Sequence, residues 1–69
     1  MSDHLIVHLK PYRAAAGLTQ AELAEAVGVS RKTINTIENG VFTPSTILAL
    51  RLAAELKVSV HDLFALPQG

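Results

Sequence analysis

The sequence predicts an all-α domain of five short helices, preceded by an extended segment that is a candidate short β-strand. Apolar residues recur at three- and four-residue spacing over most of the chain. Residues that favour helix starts, Thr19, Ser30, Thr43 and Ser59, stand just ahead of such stripes. Gly17, Gly28 and Gly40 then cut the pattern into pieces of about two or three turns.

Residues 4–10 read as extended, with Leu5, Val7 and Leu9 on one side and His4, Ile6 and His8 on the other. Pro11 has no N–H and disfavours the α conformation at Lys10, which places the first helix from Pro11 onward. The second opens on Thr19-Gln20-Ala21-Glu22, a capping box, carries Leu23, Ala24 and Val27 on one face, and ends at Gly28. Ser30 caps the third, whose inward stripe is Ile34 and Ile37, with Val41 as a further candidate; Arg31, Lys32, Asn35, Thr36 and Asn39 take the other face. Thr43-Pro44 is expected to start the fourth helix, with Leu48, Leu52 and Leu56 inside beside Ala49 and Ala53. Ser59 with Asp62 proposes a fifth, through Phe64.

At 69 residues, 49% hydrophobic and 17% charged, the chain is expected to form a single domain: an extended segment over 1–10, a helical core over 11–64 and a tail over 65–69. A chain this size buries only roughly 60% of its unfolded surface, which disfavours a deep catalytic cavity. The absence of cysteine excludes disulfides and thiolate metal sites and is compatible with a reducing cytosol, so a cytoplasmic location is expected. No secretory signal pattern or membrane-length apolar run is present, and no membrane partner is expected. Six basic residues balance six acidic ones, so net charge gives no support to nucleic-acid binding and charge placement must carry that argument.

Two short helices joined at Gly28, the second exposing hydrogen-bonding side chains, match helix-turn-helix geometry. Ala24 is small where the second helix crosses, and Val29, Ile34 and Ile37 are placed to anchor that helix. Residues 17–24 (Gly-Leu-Thr-Gln-Ala-Glu-Leu-Ala), Val29-Ser30, Ile34, Ile37-Glu38-Asn39-Gly40 and Thr43-Pro44-Ser45 together resemble the lambda repressor/Cro-type (XRE-like) helix-turn-helix family, over roughly residues 9–64. The resemblance implies a compact five-helix lambda-repressor-like domain that binds double-stranded DNA as a homodimer on a two-fold operator. Regulation of transcription, as a repressor, is the expected outcome. Residues 30–39 would then be the helix that enters the major groove.

Carried over by position, the resemblance puts Arg31, Lys32 and Thr36 nearest the base edges, with Ser30, Thr33 and Asn35 beside them. It puts Gln20 and Asn39 on phosphates. The chemistry agrees: Arg and Lys can donate to guanine O6 and N7, Thr can offer a hydroxyl or touch a thymine methyl, and Gln at a helix start suits a phosphate oxygen. Arg31 and Lys32 in any other helix would be merely solvated, but cations in a first turn oppose the helix dipole, and that unfavourable placement points towards function. Gln20 alone would be an ordinary surface residue. The resemblance also pairs Arg13 with Glu38 as a structural ion pair, the competing assignment making Arg13 a phosphate contact.

Two features depart from the family pattern. The extended start and Pro11 replace a longer polar first helix, and such a strand needs a partner: the chain's own tail near residues 63–66 is preferred, a second copy the alternative. Ile47, Leu50 and Ala54 form a second apolar stripe where polar residues are usual, read either as ordinary core or as a dimer interface. Lys57 stands where a helix-ending glycine is common. A protein-interaction module of antitoxin or adaptor type is the alternative function, with a protein partner on that stripe. No catalytic arrangement, cofactor motif or close carboxylate pair is found, and His4, His8 and His61 are read as exposed imidazoles rather than metal ligands.

Overall fold

The structure, a computed structural model, describes residues 5–67; His4, at the start of the extended segment, and residues 68–69 of the tail lie outside the described residues. The chain runs β1 (Ile6–Val7), α1 (Leu9–Ala15), α2 (Gln20–Val27), α3 (Arg31–Glu38), α4 (Thr46–Leu56), α5 (Val60–Leu63) and β2 (Phe64–Ala65). Each helix sends at least one side chain into a common core: Leu9, Leu23, Ile34, Ile37, Leu52 and Leu63 are all fully inaccessible. Burying each contributes about 1.5–3 kcal/mol, which is how five helices too short to persist alone hold together. The α2 helix lies between α3 and α4 and packs on both.

The partner of the N-terminal strand is the chain's own tail. Antiparallel β1 and β2 set Ile6 opposite Ala65 and Val7 opposite Phe64, and the His8 N–H donates to the Leu63 carbonyl at 2.8 Å. A two-stranded ribbon is marginal alone. Here Phe64 is buried, and Leu5 and Val7 pack against the core while Ile6, on the other face, does not join it.

Several boundaries differ from the sequence expectation. Helix α1 begins at Leu9, not Pro11, so Leu9 and Lys10 are helical and the extended stretch ends before them. Pro11 becomes the third helical residue, where the N–H it lacks would have had no acceptor within the helix, and the buried Leu9 side chain outweighs the local preference against α at Lys10. Ser45, not Thr43, caps α4: its Oγ accepts the Leu48 N–H at 3.1 Å, leaving Pro44 outside the helix. Val41 is 79% exposed, because Gly40 at φ 74° turns the chain away before another helical turn can form. Phe64 closes α5 in extended conformation and joins β2.

Lys57 ends α4 in the left-handed region at φ 58°, and its N–H and that of Val58 close the last turn on the Ala54 and Ala53 carbonyls. A side chain with a Cβ is strained there, whereas glycine is not. Lys57→Gly is expected to raise stability by about 1 kcal/mol, read as a higher urea midpoint with unchanged slope. A lower midpoint would contradict the strain.

Candidate nucleic-acid interface

The bend between α2 and α3 is built from three local devices. At the start of α2 the Thr19 N–H donates to Glu22 Oε1 at 2.9 Å, and the Glu22 N–H donates to Thr19 Oγ1 at 3.0 Å. At its end Gly28 adopts φ 80°, and the Val29 N–H reaches back to the Ala24 carbonyl at 2.9 Å. Ser30 then accepts the Thr33 N–H on its Oγ at 3.2 Å, starting α3 two residues after the elbow. Ala24 is buried at the α2–α3 contact, and Ile34 and Ile37 seat α3 on the core.

That seating leaves the opposite face of α3 outward. Arg31 and Lys32 are exposed and make no hydrogen bond to a described residue. The other polar side chains on α3 and at its ends are tied to one another. Ser30 Oγ and Thr33 Oγ1 lie 3.0 Å apart, Thr36 Oγ1 donates to the Thr33 carbonyl at 2.9 Å, and Asn39 Nδ2 donates to Asn35 Oδ1 at 3.1 Å. The Val41 and Phe42 N–H groups both donate to the Thr36 carbonyl, folding the following loop back on α3.

Behind this face sits a charge cluster. Glu38, with its side chain only 3% exposed, receives Arg13 Nε at 2.6 Å, Arg13 Nη2 at 3.3 Å and Gln20 Nε2 at 3.0 Å. Arg13 Nη1 also donates to the Leu18 carbonyl at 2.8 Å. One guanidinium therefore joins α1, the loop after it and the end of α3, and Gln20 adds α2. Arg13 is committed to these bonds rather than turned outward. Gln20 has a partner that spacing in the sequence did not reveal, because Glu38 lies 18 residues further on. The sequence also did not mark Arg51 of α4, whose Nη1 lies 4.0 Å from where a Gly28 side chain would begin, placing a cation beside the C-terminal end of α2.

On α4, Ile47 and Leu50 are 65% and 55% exposed and Ala54 is exposed, so these three do not form core. Among the described residues no group of three histidine, cysteine, aspartate or glutamate side chains is placed to hold a metal ion, and no helix is long and apolar enough to cross a membrane.

A helix-turn-helix sequence profile of the Cro/C1 type matches residues 9–63. An uncharacterized helix-turn-helix-type transcriptional regulator of Methanothermobacter thermautotrophicus is 46% identical over 61 residues, covering 87% of this chain and 88% of the relative. Among solved structures, the restriction-modification controller protein C.AhdI of Aeromonas hydrophila is similar at 34% identity, with 81% of both chains covered and a TM-score of 0.75. SinR, the master regulator for biofilm formation, solved in complex with DNA, is similar at 37% identity over 77% of this chain and 86% of that one, with a TM-score of 0.71. Its N-terminal DNA-binding domain from Bacillus subtilis gives the same identity and TM-score. Other similar structures are longer: the chain spans 57% of the clp gene regulator ClgR from Corynebacterium glutamicum. The chain belongs to the Cro/C1-type helix-turn-helix family of transcriptional regulators and has its DNA-binding fold.

Removing Arg13 would strand a buried carboxylate. Arg13→Ala is expected to destabilise the domain by about 3–5 kcal/mol, while the paired change Arg13→Met with Glu38→Leu recovers most of it. Urea denaturation of the three proteins checks this; equal stability of Arg13→Ala and the wild type would contradict it.

Proposed function

We propose that this chain is a single-domain, cytoplasmic, sequence-selective binder of double-stranded DNA that acts as a homodimeric repressor on a two-fold operator. The observation that carries this is the outward face of α3, where Arg31 and Lys32 are exposed and have no hydrogen-bond partner among the described residues, on a helix otherwise anchored by Ile34 and Ile37. In this reading Arg31, Lys32 and Thr36 meet base edges, with Ser30, Thr33 and Asn35 beside them. Gln20 and Asn39 meet phosphates at either end; Gln20 retains a second amide N–H and its oxygen after the bond to Glu38. The similarity to SinR, solved in complex with DNA, supports DNA binding by analogy. The exposed Ile47, Leu50 and Ala54 supply the apolar face through which two copies associate, and two copies place two reading helices one turn apart. The domain carries out no catalysis.

Arg31→Ala should lose about 1–3 kcal/mol of affinity for a selected duplex and relax preference at one base pair. Gln20→Ala should weaken all sequences alike. Both are read in titrations at fixed salt, and unchanged affinity in both would contradict the assigned face. Leu50→Glu is expected to shift the protein to monomer in sedimentation and to abolish the advantage of a two-half-site duplex over a single half-site. A variant that stayed dimeric would exclude this face.

A further inference from the structure

The bond from Gln20 to Glu38 ties a residue of the proposed DNA face to the buried charge cluster behind it. Its sense is fixed by chemistry: an ionised carboxylate only accepts, so the Gln20 atom 3.0 Å from Glu38 Oε1 is the amide nitrogen. The carboxylate is itself held, because Arg13 grips one oxygen through Nε at 2.6 Å and the other through Nη2 at 3.3 Å, and its side chain is only 3% exposed. At its backbone end Gln20 is fixed too, as the first residue of α2, directly after the Thr19 capping box. A glutamine on an open helix surface samples several rotamers, and ordering one of them on binding costs affinity. This side chain is half-buried and tethered at both ends in the free protein. One N–H of its amide is spent on Glu38; the second has no partner among the described residues and is of the kind a phosphate oxygen accepts.

We propose that Glu38 is a positioning residue for DNA binding: by accepting one Gln20 N–H it sets that side chain, before a duplex arrives, in the conformation that donates the other N–H to a phosphate. This rests on the phosphate role proposed above for Gln20. Glu38 acts through Gln20 and touches no DNA itself, so the Arg13–Glu38 pair serves affinity as well as the fold.

The test is a double-mutant cycle on affinity for a selected duplex at fixed salt. It uses the wild type, Gln20→Ala, the paired change Arg13→Met with Glu38→Leu, and all three changes together, each protein first shown to keep wild-type helicity. The paired change removes one charge of each sign, so net charge is the same in both backgrounds. In the wild-type background Gln20→Ala is expected to cost roughly tenfold in affinity. Without the carboxylate the duplex must order Gln20 itself, and the same substitution is expected to cost about threefold or less. A merely structural role for Glu38 would weaken binding yet leave the Gln20→Ala loss equal in the two backgrounds, and that result overturns the proposal. Where the paired change prevents folding, the wild type decides. Nuclear Overhauser contacts between the Gln20 side-chain amide and the Glu38 side chain should be present in the free protein and persist with duplex bound; their loss on binding overturns the proposal. Wild-type affinity in Gln20→Ala removes the phosphate contact and the proposal with it, while leaving base reading by α3 intact. A wild type that binds no duplex overturns both.

Discussion

The Glu38 carboxylate is the constraint around which the rest is arranged. An ionised group with 3% of its side chain exposed must be neutralised and its lone pairs filled, and here Arg13 and Gln20 do both. Glu38 is the last residue of α3, so meeting its demands fixes the end of that helix against α1, α2 and the intervening loop. Ile34 and Ile37 fix the same helix against the apolar core. A helix held both by a charge cluster at one end and by a buried stripe along its length cannot roll, and its remaining face is left to solvent.

That division between tied and free groups gives the outward face its character. Ser30, Thr33, Thr36, Asn35 and Asn39 are bonded to one another or to their own backbone, which holds their rotamers before any ligand arrives. Pre-set side chains lose less entropy on binding. Arg31 and Lys32, by contrast, are long, charged and without a hydrogen-bond partner among the described residues, in a chain of zero net charge, so attraction to a polyanion depends on where the cations lie rather than on their excess.

Much of this was legible in the sequence because the signals are local. The Thr19 capping box, the Gly28 elbow, the Ser30 cap and the stripes Leu23-Ala24-Val27 and Leu48-Leu52-Leu56 are all set within a few residues; α2 and α3 have the caps the sequence assigned them, and both stripes are buried. The misses occurred where two local rules compete or where the partner is distant. Pro11 reads as a helix start unless one knows that Leu9 is buried. Thr43 reads as the cap because Pro44 suits a first helical position, whereas the chain leaves Pro44 outside and caps on Ser45. Val41 fits an apolar stripe that Gly40 has already ended. The bond from Gln20 to Glu38 and the place of Arg51 beside Gly28 depend on tertiary packing, and no spacing encodes them. The antiparallel pairing of Ile6 and Val7 with Phe64 and Ala65 was one of two open choices, and only the fold brings those ends together.

The central claim is that the face of α3 opposite Ile34 and Ile37 is the surface that meets duplex DNA. Two-dimensional amide NMR of the labelled protein, titrated with a selected duplex, tests this most directly. The largest shifts should fall on residues 30–39 and on the start of α2, with the interior positions Leu52 and Leu63 nearly unmoved. Saturable shifts confined to α4, α5 and the β-ribbon, with α3 silent, would contradict it.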